Sequence, residues 1–414
     1  MDGSTQGPAV ADMTTITDPV EAMEVLRSVD IAAELHNRDS SPLLRGSVLT
    51  LTGTTHLERR RIEARLMVRD ALAHYEAEVF GPAIRRRLDN LAAVPRRADG
   101  LVRDDLLIFT RMILVELTGR MIGLDGVDSQ DGIEALYACA ERFGEAASVE
   151  WSLLDHNEIV KAGLQASDEF VERWFASSVS RRRALVGQCK SGELSEEQLP
   201  VDLLTMLLVH APQLSTDEIR REAIFFLLAS SSTTTHATPH VVLELLDWIA
   251  GHPEDEGLLV DLTFVKQAVN EGLRLHPPVP ALLKRALKDT TLSTGRVLSK
   301  GEYLAVDLDA VNSDPALFGE NPGAFNPRRA SVLSAQPYGF SFGAGPHMCL
   351  GRPLATSTNK TNADEDGTVG ALVRLVVGLM GAGLRLDPAA DRPTMREDTV
   401  ARRFASFPIV FTDL

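Results

Sequence analysis

Apolar residues recur every third or fourth position along most of this chain, and that spacing folds as amphipathic helix rather than alternating across a sheet. It runs through residues 20–35 (Val20, Met23, Val25, Leu26, Ile31, Leu35) and through the long basic stretch after Thr55, RRRIEARLMVRDALAHYEAEVFGPAIRRRL. It returns at residues 103–122, 132–147, 157–188, 203–210, 217–250, 262–275 and 368–380. Strand-like pieces are few and short: residues 47–51, and later 297–298, 303–306 and 408–411, set among Gly and Pro. The expected class is therefore mainly α with small β-sheets.

Composition narrows the rest. A chain of 414 residues with 44% hydrophobic and 24% charged side chains can bury a sizeable core and is neither disordered nor collagen-like. No period repeats, which excludes a solenoid or propeller. Residues 1–17 read as a flexible polar tail and residues 18–414 as one domain. The formal charge of −16 repels phosphate backbones and anionic lipid, so neither nucleic acid nor a membrane is an expected partner. Three cysteines, Cys139, Cys189 and Cys349, are too few and too odd in number for a disulfide framework. The amino end has no basic-then-apolar leader, and no apolar run approaches the roughly 18 residues of a membrane span, so a cytoplasmic location is expected. Residues 356–368, TSTNKTNADEDGT, read as a solvated loop.

The strongest local signal is FSFGAGPHMCLGRPLA, residues 340–355. One thiol, Cys349, follows Gly343 and Gly345 and precedes Gly351, where a helix could start. A thiolate that ligates a cofactor iron needs backbone amides close by to temper its charge, and glycine lets the main chain come near a flat macrocycle. A buried structural Cys in a glycine-rich turn is the plain alternative. Phe342, Gly343, Gly345, His347, Cys349 and Gly351 form F-G-x-G-x-H-x-C-x-G, which resembles the haem-ligand loop of the cytochrome P450 family.

Other elements agree with that resemblance in order. Glu271 and Arg274 in NEGLRLHPP stand three apart on an expected helix and so share a face. In the family such a pair is buried and locked by an arginine of the following meander, which by resemblance is Arg329 in FNPRR. His56 and Arg60 in THLERRR resemble the family's pair over the haem carboxylates, with His347 a third donor. After Pro277 and Pro278 a further basic anchor is implied at Lys284 or Arg285, of which Arg285 is favoured. A buried dianionic cofactor needs several such charge-assisted donors. The implied cofactor is haem b, with the Cys349 thiolate as axial ligand and dioxygen as co-substrate.

The segment REAIFFLLASSSTTTHATPH carries six consecutive hydroxyl residues, Ser230 to Thr235, which compete for backbone carbonyls and weaken a helix. The family's distal helix has a small residue, glycine, any residue, acid and threonine here. By resemblance Ala229, Ser230, Ser231, Ser232 and Thr233 take those places. Ser230 replaces the glycine and Ser232 the acid, while Thr233 keeps its hydroxyl. Serine holds no transferable charge, so a proton relay must use hydroxyls, water, the substrate or an acid placed elsewhere. His236 and His240, four apart, have no third ligand in sight and read as core histidines rather than a metal site. Only 55 residues precede His56, fewer than the family's sheet-rich early lobe needs, so a truncated early sheet is expected.

The resemblance implies a haem-thiolate monooxygenase inserting one oxygen atom of dioxygen into a hydrophobic small molecule, plausibly in secondary metabolism. Catalytic roles fall to Thr233 and Ser232, and substrate contacts to Phe226, Ala229, Val279, Leu282 and Ser406. Electrons would come from a separate ferredoxin or flavodoxin, drawn to a basic patch of Arg59, Arg60, Arg61, Arg65 and Arg352. Two other readings stand beside it: haem-thiolate chemistry without dioxygen (peroxide-driven oxidation, dehydration, cyclisation or coupling), and a haem-fold interaction partner of another enzyme.

Overall fold

The computed structural model describes residues 10–33, 41–94, 96, 99–330, 335–356 and 368–414. In chain order, β1 (Thr14–Ile16), α1 (Pro19–Arg27), β2 (Ile31–Ala33), α2 (Ser41–Leu44), α3 (Gly53–Glu63), α4 (Arg69–His74) and α5 (Gly81–Ala92) come first. Then follow β3 (Val102–Asp105), α6 (Leu106–Ile122), α7 (Gln130–Ala147), α8 (His156–Phe170), α9 (Ala176–Ser191), α10 (Leu203–His210), α11 (Thr216–Gly251) and α12 (Leu262–Leu275). The last part holds β4 (Ala281–Ala286), β5 (Thr290–Thr291), β6 (Val297–Leu298), β7 (Tyr303–Asp307), α13 (Leu308–Asn312) and α14 (Pro315–Phe318). It closes with α15 (Arg352–Thr356), α16 (Ala371–Gly381), β8 (Leu384–Leu386), β9 (Thr394–Met395), β10 (Phe404–Ser406) and β11 (Pro408–Phe411).

Helix dominates and the sheets are small, as the spacing requires. The largest has four strands in the order β1-β7-β4-β2, with β1 parallel to β7 and the other pairs antiparallel. A three-stranded sheet, β3-β11-β8, and two hairpins complete the β content of the described residues. α6 is apolar on nearly every face and is buried along its length, which fits its place against α11 at the centre.

α11 runs unbroken through the hydroxyl-rich stretch and through Pro239. Its start is fixed by a reciprocal capping box between Ser215 and Glu218. The hydroxyls do not unwind it because several turn back on the helix: Ser231 donates to the Leu227 carbonyl (2.6 Å), Thr233 to Ala229 (2.8 Å) and Thr238 to Thr234 (2.7 Å). The expected weakening is therefore absorbed by i−4 bonds within the helix.

Several expectations are corrected. The tail expected over residues 1–17 is ordered by residue 14, where β1 pairs with β7, because Ile16 is fully buried there. Its first nine residues lie outside the described ones, as does most of the loop expected at 356–368. The helix expected over 20–35 stops at Arg27 and gives way to β2, and residues 47–51 form turns rather than a strand. The early sheet is not lost: β1 and β2 supply both edges of the four-stranded sheet. The missed central strand is β4, whose run of apolar residues hid its alternation.

Candidate active site

The loop that carries Cys349 is pinned from both sides. Gly345 adopts φ +67°, and a Cβ there would lie 2.5 Å from the Leu26 carbonyl oxygen, so the loop rests on α1 with no room for a side chain. Cys349 N donates to the Phe342 carbonyl (2.8 Å), closing the loop on itself. The Phe342 ring meets Tyr338 edge-on, and the Arg352 guanidinium lies over the Tyr338 face. Cys349 sits deep in the fold, yet its side chain remains accessible, so the sulfur faces an internal space rather than a packed core. Burial raises its pKa, and the Gly351 and Arg352 amides and the Arg60 and Arg352 guanidiniums oppose that rise. A Cβ on Gly351 would approach the sulfur to 3.9 Å. Two amides aimed at a lone accessible thiol are the donor set that a metal-bound thiolate calls for.

Four basic groups converge beside this loop. His56 and Arg60 lie one turn apart on α3, His347 is in the loop itself, and Lys284 comes from β4. The His56 and His347 rings stack with centroids 3.9 Å apart, and Arg60 Nη2 donates to the Met348 carbonyl (2.5 Å). Burial, then His56, Lys284 and Arg60, push His347 down to about 3; burial alone lowers Lys284 to about 8. His56 is lowered by burial, Arg60 and Lys284. Among the described residues no carboxylate bonds any of the four. Arg60 and Lys284 supply positive charge and the two imidazoles neutral donors, and a buried set of this kind with no carboxylate bonded to it fits a ligand carrying two carboxylates.

Here the favoured anchor of the sequence reading is corrected. β4 alternates, so Leu282, Lys284 and Ala286 face the Cys349 loop side while Ala281, Leu283 and Arg285 face the other. Leu282 Cδ1 lies 3.5 Å from where a Gly343 Cβ would be. Lys284 is 4% exposed within the basic group, whereas Arg285 lies across from Tyr303, its guanidinium over that ring.

Glu271, Arg274 and Arg329 come together. Arg274 grips Glu271 with Nε (2.8 Å) and Nη2 (2.7 Å), and Arg329 Nε reaches the same carboxylate at 2.8 Å. Arg274 is fully buried, with Nη1 on the Asn312 carbonyl (2.6 Å). Asn312 is a residue that sequence reasoning passed over. Its amide donates to the Arg274 carbonyl (3.0 Å) and the Ser341 hydroxyl (3.1 Å), and its Oδ1 accepts from Phe340 N (2.7 Å). The triad is thus wired to the first residues of the Cys349 loop. No local signal marks it, because VNSD reads as an ordinary polar turn.

On α11, the Thr233 hydroxyl is engaged with the Ala229 carbonyl, and Ser232 points to α7, where a Cβ on Gly144 would meet its Oγ at 3.3 Å. Val279, just before β4, and Leu282, within it, are partly buried. Two expected substrate contacts are placed elsewhere. Phe226 packs into the apolar cluster shared by α6, α7 and α8, and the Ser406 hydroxyl is paired with Thr394 across the β9–β10 hairpin (2.9 Å). The basic patch also loses a member, since Arg59 is buried against Glu222, whereas Arg61 and Arg65 are exposed. No group of three metal-ligating side chains occurs among the described residues, and His236 and His240 diverge: His240 stacks on His276 and bonds the Arg402 carbonyl.

Comparison with known proteins bears on the same region. The family model described as "Cytochrome P450" matches residues 148–361. Pulcherriminic acid synthase of Bacillus subtilis is 27% identical over 328 residues, 76% of this chain and 72% of that protein. Cytochrome P450 4F5 of Rattus norvegicus is 27% identical over 226 residues; the match spans 46% of this chain and only 42% of the rat protein's length. Among solved structures, substrate-free CYP109E1 of Bacillus megaterium superposes with a TM-score of 0.72 at 17% identity, covering 99% of this chain and 95% of that one. CYP154A1 of Streptomyces coelicolor gives 0.69 at 20% identity, covering 96% and 91%. Both likenesses speak to the fold.

Proposed function

This chain belongs to the cytochrome P450 family, whose cofactor is haem held by a cysteine thiolate, and we propose that within it the protein acts as a monooxygenase on a hydrophobic small molecule. The observation that carries this reading is the accessible Cys349 thiol beside His56, Arg60, Lys284 and His347, none of which is bonded to a carboxylate among the described residues. Cys349 would hold the iron, and the four basic side chains would receive the propionates. Haem so held supplies dioxygen activation, with the thiolate's electron density favouring O–O cleavage.

The protein's own residues do the rest. The Gly351 and Arg352 amides offset part of the burial that raises the sulfur's pKa and so favour its thiolate form. The Glu271–Arg274–Arg329 triad, through Asn312, fixes the loop's entry and so the height of the sulfur. Leu282, Val279 and Ala229 offer small or aliphatic surface to an apolar substrate. Phe342 and Gly343 shape the loop beneath. Thr233 and Ser232 lie on the distal helix, where hydroxyls can pass protons.

Two electrons must arrive from a separate ferredoxin or flavodoxin, and exposed Arg61 and Arg65 suit an acidic donor. No described helix is long and apolar enough to cross a membrane, in keeping with a proposed cytoplasmic location. A role in secondary metabolism draws support from the Bacillus relative named as a synthase of pulcherriminic acid. The test is the spectrum of the reduced carbon-monoxide complex: a thiolate-type Soret band is expected, and Cys349→Ser should abolish it. An unchanged band in that variant would remove Cys349 as the ligand. The hydroxyl at position 232 favours a second reading, peroxide-driven oxidation; turnover with peroxide but none with dioxygen and a surrogate reductase would select it.

A further inference from the structure

Arg403, the residue before β10, is a buried cation without a counter-charge. It is 7% exposed, and among the described residues no carboxylate pairs with its guanidinium: Nη1 donates to the neutral Ser148 hydroxyl (3.0 Å) and Nε has no partner. Burial lowers its pKa to about 10, with Glu145 and Asp398 opposing the fall and Arg396 and Arg111 adding to it, so the group still carries its charge at neutral pH. A guanidinium taken out of water needs an anion beside it or acceptors for all its donors.

Arg403 lines a small polar cavity together with Arg111 of α6, Gly144 and Glu145 of α7, and Ser232 and His236 of α11. The carboxylates at its edge are already committed. Arg396 clasps both Glu145 and Asp398, and Glu141 accepts from Arg111 (2.5 Å) and from the Tyr137 hydroxyl (3.0 Å). His236, also 7% exposed, has no partner on Nδ1. Burial, then Arg403, Arg111 and Arg396, hold it well below the ordinary histidine value, so the ring is neutral and a proton on Nδ1 makes that atom a donor. The Ser232 hydroxyl faces Gly144, which keeps the space open: a Cβ on that glycine would stand 3.3 Å from Ser232 Oγ. The cavity has room for one atom-sized occupant, too little for a carboxylate or a phosphate group. Water would satisfy the hydrogen bonds there and leave the charge unmet, whereas a monatomic anion meets both needs.

We propose that this cavity is a binding site for a single halide ion, chloride under ordinary conditions, held by Arg403 Nε, His236 Nδ1 and the Ser232 hydroxyl. The ion supplies the counter-charge that the chain does not, and it ties the segment before β10 to α11. Nothing is transferred and no bond is broken. The inference stands independently of the reaction proposed above.

The probe is chloride itself. Purified protein, reduced under carbon monoxide so that a haem iron offers chloride no place, is titrated at constant ionic strength with gluconate as the balancing anion. The ³⁵Cl resonance and the thermal unfolding midpoint are followed together. The wild type should broaden the ³⁵Cl line in a saturable way that bromide reverses, and its midpoint should rise with chloride, because a ligand bound only by the folded state stabilises it. Two variants remove the site by different means. Arg403→Met deletes the charge and Ser232→Asp supplies a carboxylate from the chain; each should weaken chloride binding by about tenfold or more. Should Arg403→Met fail to fold, Ser232→Asp decides alone. Arg402→Met removes an exposed neighbour paired with Asp309, changes the net charge as Arg403→Met does, and should leave binding within about twofold. A wild type with no saturable broadening has water as the occupant, and broadening that survives in folded Arg403→Met or Ser232→Asp places the chloride elsewhere; either result overturns the proposal.

Discussion

Replacing Arg274 by methionine tests whether the buried triad, rather than the apolar core alone, holds the ligand loop. Arg274 gives up two charge-assisted bonds to Glu271 (2.8 and 2.7 Å), one to the Asn312 carbonyl (2.6 Å), and its place over the Phe318 ring. Removing one partner of a buried pair costs about 3–5 kcal/mol. The remaining charges decide where in that range each variant falls. Without Arg274, Glu271 keeps Arg329 at 2.8 Å and the Asn326 amide at 3.2 Å, a neutral pair, so the loss should sit near 3 kcal/mol. In Glu271→Gln two guanidiniums face each other with no carboxylate between them, and the loss should approach about 5 kcal/mol. Equilibrium urea unfolding followed by circular dichroism, with unchanged slope, gives both values. The reduced carbon-monoxide spectrum should show the surviving Arg274→Met protein losing part of its thiolate-type signal, because the guanidinium bond to the Asn312 carbonyl is gone and Asn312 keeps only the main-chain carbonyl of residue 274 as its link to α12. A loss under about 1 kcal/mol, or Arg274→Met costing more than Glu271→Gln, would refute the charge argument.

The corrected anchor predicts an asymmetry between neighbours: Lys284→Met should weaken haem retention, read by the rate of haem transfer to apomyoglobin, while Arg285→Met should leave it within about twofold. The Glu63–Glu222 pair predicts a pH trend. Burial, then Glu222, raise Glu63 well above the carboxylate range, and burial raises Glu222 to about 7 against the opposing Arg59. The folded pair thus keeps protons that the unfolded chain has released, so stability falls as pH climbs from the ordinary value of 4.5 through about 7. Glu63→Gln should flatten that fall in unfolding midpoints measured between pH 5 and 8; an unaltered slope would show that the pair does not share a proton.

Much of this was legible along the chain because it was written in local terms. The E-x-x-R spacing puts Glu271 and Arg274 on one helix face whatever surrounds them, and the glycines about Cys349 declare a loop that main chain must approach closely. Helix positions followed the apolar period for the same reason. What escaped depends on partners distant in sequence. Whether Lys284 or Arg285 faces the loop is set by the pairing of β4 with β7, and nothing local to residues 281–286 states it. Arg59 reads as surface charge until Glu222 arrives from α11 to bury it. The small polar cavity beside Ser232 is lined from α6 by Arg111, from α7, from α11 and by Arg403 just before β10, four segments with no common motif, and its clearest mark, Gly144, looks like any helical glycine.

The contact between Gly345 and the Leu26 carbonyl has a consequence for how the molecule is made. α1 leaves the ribosome well before the loop that settles against it, and a single added carbon would hold the two apart. The sulfur's cradle is therefore finished only after the Cys349 loop itself has been made. Cofactor capture has to await that contact, so haem loading follows the synthesis of the loop.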